Sequence, residues 1–339
     1  MSTNGSNYDA IVVGSGSVGN PTACFLAKTG LRVLVLERRS ASGQGDNKAA
    51  IGGVRATHSD PGKILTCIES LKIFSTWQET YGSHIGWKEG GYCFPVYTES
   101  IEKLLKGMLP IQKKFGLAID WVGPDRIAEL IPGIAEEGLR GGTFSPHDGQ
   151  VSPLLAAVAF QREAVRSGAV YHFNEKVTGY TREKNRITGV VTDKAAYGAG
   201  TVVLATGADA REHSEPLGID IPVTPDSHEA GISSPVEQFL GPLVVDLRPR
   251  LDALRLLVPA LVRPPCGHDG HVAARLEDLL ALRVDRSVPV RIRILEAIGG
   301  AVLEDLVDAL PRGARLGGEG PGSRENGWGR ERPAARAWW

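Results

Sequence analysis

Short apolar runs alternate with helix-like segments along the first part of the chain. Residues 8–13 and 32–36 are apolar runs of strand length, and residues 21–28 between them are typical of a helix. This pattern predicts a β-α-β unit at the amino terminus. A mostly helical middle follows. Strand patterns then return at 170–173, 176–181, 186–192 and 201–204, with a turn at 183–185.

The composition of the chain changes after residue 244. All twelve lysines precede this point, whereas the last 95 residues contain fifteen arginines and lack Lys, Phe, Tyr and Thr. Such a bias is typical of GC-rich coding DNA read out of frame, and also of a low-complexity extension. We therefore treat residues 250–339 as an atypical Arg/Ala/Pro/Gly-rich tail, within which residues 294–310 have the apolar spacing of a helix.

The overall charge and hydropathy exclude several classes of protein. The 339 residues carry a formal net charge of -1 and are 42% hydrophobic, which gives no electrostatic footprint for nucleic acid or an anionic membrane. The first apolar run is too short for a signal or membrane-spanning segment. The four scattered cysteines predict reduced thiols. We expect a soluble, cytoplasmic protein with neither nucleic acid nor membrane as a partner.

One cluster in the tail contains residue types that bind metals. It comprises Cys266, His268, Asp269 and His271. These residues are crowded into one Pro/Gly-rich loop without the second half-site that structural zinc sites use. We therefore expect no metal.

The strongest motif is a glycine-rich turn between the first strand and the first helix. Residues 11–19 read IVVGSGSVG, in which Gly14 permits the tight turn, Gly16 lets the backbone approach a pyrophosphate and Gly19 allows close helix–strand packing. Glu37 ends the second strand, where it would accept hydrogen bonds from ribose hydroxyls and disfavour a 2′-phosphate. The alternative is a glycine-rich turn that binds nothing.

The segment after Glu37 bears on whether the dinucleotide is FAD or NAD. A Gly/Ser-rich loop at 41–48 leads into Gly52, Gly53 and Arg55, which could bring backbone amides and a cation to a phosphate or a flavin ring. A mobile surface loop would have the same composition. An NAD-dependent dehydrogenase is the other alternative, although a short-chain enzyme of that type does not need the return strand at 201–204.

Five stretches together resemble the FAD-dependent oxidoreductases of the D-amino-acid oxidase superfamily, in particular the branch of the sarcosine oxidase β-subunit, sarcosine dehydrogenase and glycine oxidase. The resemblance covers residues 8–249. The stretches are DAIVVGSGSVG at 9–19 with Glu37, IGGVR at 51–55, DGQVSP at 148–153, TVVLATGADA at 201–210, and PVTPDSHEAG at 222–231 with VVDLRP at 244–249.

The resemblance implies an α/β fold in two interleaved parts. A Rossmann-like FAD-binding domain of the glutathione-reductase type is expected at 1–95 and 145–215, and an incomplete α+β substrate domain at 96–144 and 216–249. Full-length relatives have a carboxy-terminal segment that completes the sheet and covers the flavin. We find no such segment in this sequence.

The implied cofactor is FAD, and its contacts can be transferred residue by residue. The pyrophosphate would lie near the glycine-rich turn and the return strand, the adenosine near the end of the second strand, and the flavin near the second glycine pair. These expected contacts are Gly14, Ser15, Gly16, Val18, Gly19, Thr206 and Gly207 for the pyrophosphate, Glu37, Arg38 and the backbone of Val177 for the adenosine, and Gly52 and Gly53 for the flavin. Core packing is the alternative explanation for Val177.

The resemblance also implies the chemistry, which is oxidation of the C–N bond of a small amine or secondary amino acid, with oxygen or an electron carrier as the acceptor. A carboxylate on the substrate needs a cation, for which Arg55 is the first candidate and Lys48 the second. His58, His147 and His228 are candidates for a proton or orienting group, although each histidine could be structural. The alternatives are a non-catalytic FAD-fold chain and a subunit completed by a partner.

Overall fold

Thirteen strands and seven helices occupy residues 7–225 and 237–248, the part of the chain that the computed structural model describes. The strands are β1 (Asn7–Val13), β2 (Val33–Glu37), β3 (Gly53–Val54), β4 (Lys88–Glu89), β5 (Tyr92–Val96), β6 (Asp120–Val122), β7 (Gly141–Ser145), β8 (Gly149–Gln150), β9 (Val170–Phe173), β10 (Val177–Glu183), β11 (Arg186–Thr192), β12 (Ala196–Leu204) and β13 (Leu243–Val244). The helices are α1 (Gly19–Lys28), α2 (Pro61–Ser75), α3 (Trp77–Tyr81), α4 (Glu99–Lys114), α5 (Pro124–Leu130), α6 (Pro153–Arg166) and α7 (Ala210–Ser214).

Several predicted features lie outside the described residues. They are the tail at 250–339 with its helix at 294–310, the cluster at 266–271, and His228.

The largest sheet has six strands in the order β10-β11-β12-β1-β2-β9. The four strands from β12 to β9 are parallel, whereas β10, β11 and β12 form an antiparallel meander. Residues 11–12 of β1 and 33–36 of β2 are almost wholly buried, because central parallel strands are covered on both faces. The predicted β-α-β unit is therefore confirmed. Strand β12 begins at Ala196, earlier than predicted, because its first half pairs with β11.

Helices α1 and α6 cover one face of this sheet. Alanines on both helices, among them Ala23 and Ala164, are fully buried in a core that includes Val12 and Phe160. Asn20 is buried between them, and its Nδ2 donates to the carbonyl of Ala157 at 2.8 Å while its Oδ1 accepts from a tyrosine of β9 at 3.2 Å. A buried amide is tolerated when its hydrogen bonds are made, so Asn20 fixes α1 against both α6 and β9.

The middle of the chain, predicted to be mostly helical, also contains two smaller sheets. Their strand orders are β13-β5-β7-β6 and β3-β8-β4. Strands β3, β4 and β8 are only two residues long, and β7 reads GGTFS, so none has an apolar alternation from which a strand could be predicted. The buried face of β5 packs against α4 through Phe94, Leu105 and Met108.

The described residues bear on two expectations, which concern membrane-spanning segments and the state of the cysteines. None of the helices in these ranges combines the length and the apolar character needed to cross a bilayer. Cys24, Cys67 and Cys93 are free thiols, as predicted.

Trp77 is the largest fully buried side chain in the described ranges, and its removal tests the packing of α3 on α6. The indole lies 4.5 Å from the ring of Phe160, between ring centroids, and its Nε1 donates to the hydroxyl of Ser83 at 2.9 Å. We expect Trp77→Ala to lower the free energy of unfolding by about 3–5 kcal/mol, measured by urea denaturation. Phe25→Ala, at a side chain that is 44% exposed, is the control and should cost about 1 kcal/mol or less. Equal losses would contradict this packing.

Candidate cofactor and active site

The loops that follow β1, β2 and β12 meet at the carboxyl edge of the six-stranded sheet. The amide of Gly14 donates to the carbonyl of Leu36 at 2.8 Å, and the amide of Ala205 donates to the carbonyl of Val13 at 2.9 Å. Ligands of parallel α/β sheets bind at this edge. The structure thus brings together three segments that are far apart in the sequence and that carry residues predicted to contact the pyrophosphate and the adenosine.

The three motif glycines have different physical reasons to be glycine. Gly14 has φ +101°, and an added Cβ would lie 2.3 Å from the carbonyl oxygen of Ala205. A Cβ on Gly19 would lie 2.0 Å from the carbonyl oxygen of Gly14. At Gly16 the nearest atom is Oδ1 of Asn47 at 3.5 Å, an ordinary contact. The fold therefore requires Gly14 and Gly19, whereas Gly16 leaves its backbone open to a ligand.

Glu37 ties the glycine-rich turn to the end of β2. Its Oε2 accepts from both the amide and the hydroxyl of Ser15, each at 2.9 Å, and its Oε1 accepts from the amide of Arg39 at 2.9 Å. A carboxylate has about four acceptor positions, so ribose hydroxyls can still bind to it. The Ser15 side chain is fully buried against Glu37, and its predicted contact with the pyrophosphate stays a prediction.

The amino terminus of α1 faces the same edge, with Val18 exposed at the cap position and no side chain capping the helix. Helix amino termini attract phosphates through their N–H groups and dipole. Asn47, a residue the sequence reasoning missed, accepts from the amide of Ser17 at 3.0 Å through Oδ1, and its Nδ2 donates to the carbonyl of Pro153 at 3.4 Å. Asn47 therefore holds the turn against the start of α6.

The predicted adenosine end is assembled by backbone contacts. The amide of Glu175 donates to the carbonyl of Glu37 at 3.0 Å, which places the start of β10 beside β2. The side chain of Val177 is buried in a core cluster that includes Ile11 and Leu34, which agrees with the alternative of core packing, and a role for its backbone stays a prediction. A cleft of about 280 Å³ lies next to it, between β10 and α7. Arg38 does not point freely into solvent, because it forms an ion pair with Asp209 at 2.5 Å.

Two buried hydroxyls indicate that the edge is built to hold a phosphate-bearing group. Within the described residues, Oγ1 of Thr206 and Oγ of Ser42 are buried and have no hydrogen-bond partner. A buried polar atom without a partner costs about 1–3 kcal/mol. Thr206 follows β12, and Ser42 precedes Gly43, whose amide donates to the carbonyl of Ser15 at 3.0 Å. Phosphate oxygens would supply acceptors for both hydroxyls, so these residues fit the diphosphate of FAD.

Gly52 and Gly53 are required by contacts within the chain itself. Gly52 has φ +80°, and a Cβ there would lie 2.1 Å from the carbonyl oxygen of Val151. A Cβ on Gly53 would lie 2.1 Å from the hydroxyl of Tyr92. The glycine pair packs the short strand β3 onto β8 and onto the second sheet, and its predicted contact with the flavin stays a prediction.

The three catalytic candidates do not share one environment. Lys48 is exposed on a 3-10 turn, whereas Arg55 and His58 are half-buried. Nη1 of Arg55 donates to the carbonyl and the hydroxyl of Thr57, and its guanidinium lies 5.8 Å from the ring centroid of Phe94 on β5. The carbonyl of His58 accepts from the buried Gln112 of α4 at 3.1 Å. The structure therefore favours Arg55 over Lys48 as the cation beside the second sheet.

Asp148 is the titratable group of this region that the sequence reasoning did not single out. Its side chain is fully buried, and Oδ1 accepts from the amide of Ala56 at 3.0 Å. Burial raises the pKa of Asp148 to about 6, against the opposing effects of the Ala56 amide, the Ser145 hydroxyl and the charge of Arg55. The signal in the sequence was the stretch at 148–153, in which the aspartate precedes the glycine that begins β8.

A family profile described as FAD dependent oxidoreductase matches residues 9–322. The chain belongs to this family. The family inferred from the motifs is thereby confirmed, although the match extends beyond residue 249, where the recognised motifs end, and FAD is the cofactor of the family.

Named relatives agree with this assignment. Mitochondrial dimethylglycine dehydrogenase of Mus musculus is 26% identical over 249 residues, which is 73% of this chain and 28% of that protein. Sarcosine oxidase subunit beta of an Arthrobacter species is 27% identical, over 64% of this chain and 55% of that protein. The crystal structure of L-proline dehydrogenase from P. horikoshii superposes with a TM-score of 0.64 at 28% identity, covering 71% of this chain and 65% of that one.

The matched part of the chain thus spans about a quarter of the length of dimethylglycine dehydrogenase and about two thirds of the L-proline dehydrogenase chain.

Gly14 and Gly16 offer a test that separates folding from FAD binding in this member of the family. We expect Gly16→Ala to unfold at the wild-type urea concentration and to bind FAD at least about tenfold more weakly, because the methyl group occupies the approach to the backbone. Gly14→Ala should be destabilised by more than about 2 kcal/mol, because its Cβ meets a backbone oxygen. Fluorescence titration with FAD and urea denaturation measure the two effects. Wild-type FAD affinity in Gly16→Ala would contradict the assigned site.

The raised pKa of Asp148 predicts how the stability of the apoprotein depends on pH. Between pH about 4 and about 6 the folded state holds a proton on Asp148 that the unfolded state has released, so raising the pH favours unfolding. Asp148→Asn removes this titrating carboxyl. From pH about 4 to about 6, we expect the free energy of unfolding of the variant to rise relative to that of the wild type by up to about 3 kcal/mol. Urea denaturation at several pH values measures the difference. A difference that does not change with pH would contradict the raised pKa.

Proposed function

We propose that this chain uses FAD to oxidise the C–N bond of a small amine or secondary amino acid of the sarcosine or glycine type. The observation that carries the proposal is the half-buried Arg55, two residues beyond the Gly52–Gly53 pair and beside β5. The names of two relatives, dimethylglycine dehydrogenase and sarcosine oxidase subunit beta, support the same substrate class.

When bound, FAD accepts the hydride from the carbon next to the amine nitrogen. The residues of the chain hold and orient the reactants. The open backbone at Gly16, the amino terminus of α1 and the hydroxyl of Thr206 would hold the diphosphate. Glu37, fixed by Ser15, would bind the ribose.

Arg55 would orient the substrate through its carboxylate, since a guanidinium pairs both carboxylate oxygens in a fixed geometry. Its donation to Thr57 and its position over Phe94 restrict the rotamers of the side chain. Orientation of this kind is a large part of enzymatic rate enhancement. His58 belongs to the same segment, and a proton-transfer role for it is part of this proposal, as is a secondary role for Lys48.

The proposal extends to the acceptor and to the cellular setting. Oxygen and an electron carrier are both compatible with the family. The word subunit in the name of the Arthrobacter relative supports the expectation of partner subunits. The cytoplasmic location expected from the sequence belongs to the same proposal, and fractionation of cells tests it.

Anaerobic reduction by sarcosine tests the activity directly. We expect sarcosine to bleach the visible flavin band of the reconstituted full chain. A yellow protein that no small amine reduces would contradict the proposal and support the alternative of a non-catalytic FAD-fold chain.

A second measurement tests the role of Arg55. We expect Arg55→Met to raise the sarcosine concentration for half-maximal reduction by about 10–100-fold, because charged hydrogen bonds worth about 1.5–3 kcal/mol are lost. Dimethylamine, which has no carboxylate, should reduce both proteins equally. Arg166→Met, at an exposed arginine of α6, is the control variant. Equal losses with both substrates would show that Arg55 does not bind the carboxylate.

A further inference from the structure

Asp148 joins three parts of the structure at one buried carboxylate. Its side chain accepts from the amide of Ala56, just after β3, at 3.0 Å. Its backbone carbonyl accepts from the amide of Gly91, just before β5, at 2.8 Å. It directly precedes β8, the strand that pairs with both β3 and β4. Movement of Asp148 would therefore shift the Gly53–His58 segment relative to β5.

The groups that face Asp148 are few and can be named. The cation is Arg55, one residue before Ala56, whose charge is felt by Asp148, by Cys67 of α2 and by Tyr92 of β5. Burial raises the pKa values of Cys67 and Tyr92, so both are uncharged near neutral pH. Among the described residues, His147 also acts on Asp148, and its Nδ1 is paired at 2.8 Å with Glu89 at the surface.

A buried carboxylate that accepts from the amide next to a substrate-binding arginine would act on that arginine in two ways. It stabilises the cation and fixes the backbone on which the cation stands. It also competes with any second carboxylate, because one guanidinium charge then faces two negative groups in a poorly solvated region. These two effects can be separated, because an amide in place of the carboxylate keeps the acceptor for the Ala56 amide and removes the charge.

We propose that Asp148 is a positioning residue that holds the Gly53–His58 segment and sets how strongly Arg55 binds a substrate carboxylate. The inference rests on the proposed function, since it assumes that Arg55 meets a carboxylate substrate. Entry of a carboxylate beside Arg55 then favours the protonated form of Asp148. Binding should therefore take up a proton near neutral pH and strengthen as the pH falls through about 6.

The probe is propionate, which has a carboxylate but no amine that titrates. Its dissociation constant is measured from the change in the flavin absorption of the FAD-reconstituted full chain between pH 5.5 and 8. For the wild type we expect binding about tenfold tighter at the acidic end. Asp148→Asn should bind propionate about tenfold tighter than the wild type at pH 8, with little dependence on pH. Asp148→Ala, which lacks the acceptor, should bind it more weakly than Asp148→Asn.

Two further variants decide whether the effect belongs to Asp148. Glu163→Gln removes a buried carboxylate that pairs with Arg166 on α6, and it should keep the wild-type affinity and pH profile. His147→Gln should keep the pH profile, because the charge of His147 is the weakest of the influences on Asp148. Loss of the profile in His147→Gln, or its survival in Asp148→Asn, would overturn the proposal, as would the absence of any spectral change with propionate.

Sarcosine reduction of the same samples separates this inference from the proposed function. If sarcosine bleaches the flavin but Asp148→Asn binds propionate as the wild type does, the inference about Asp148 is wrong and the proposed function stands. If propionate binding follows the predicted profile but no amine bleaches the flavin, the inference holds for a carboxylate site and the proposed activity is wrong.

Discussion

At the carboxyl edge of the six-stranded sheet, the backbone of Gly14 lies against the carbonyl of Ala205 while its amide donates to the carbonyl of Leu36. No side chain fits in this contact, since a single Cβ would come within 2.3 Å of an oxygen. The contact brings the ends of β1, β2 and β12 together, and with them the amino terminus of α1. Every residue assigned to the diphosphate or to the ribose stands on one of these segments.

The polar groups around this edge are of two kinds. Ser15, Glu37 and Asn47 satisfy one another and their backbone neighbours, so they hold the loops in place whether or not a ligand is bound. The buried hydroxyls of Ser42 and Thr206 have no partner among the described residues. Such atoms are rare because they cost free energy, and their place beside the glycine-rich turn agrees with the FAD-dependent family of the chain.

The sequence predicted the parts of the fold that local patterns encode. Continuous apolar runs form the last four residues of β1 and the first four of β2, and the glycine spacing marks the turn between β1 and α1. The strands of the third sheet were missed because pieces as short as β3 and β8 have no periodicity, and β7 of the second sheet because its sequence, GGTFS, has no apolar alternation. The site was predicted at its motif glycines, whereas Asn47 and Asp148 were missed as contacts, because their partners lie 30 and 92 residues away in the chain. Such distances leave no local signal.

The FAD content of the purified full chain directly tests whether the carboxyl edge of the six-stranded sheet binds FAD. The protein is desalted, its visible spectrum is recorded, and the flavin released by denaturation is quantified against the protein concentration. We expect a flavin spectrum, or its appearance on addition of FAD, with one FAD bound per chain. A colourless protein that keeps a wild-type fold and takes up no FAD would contradict it.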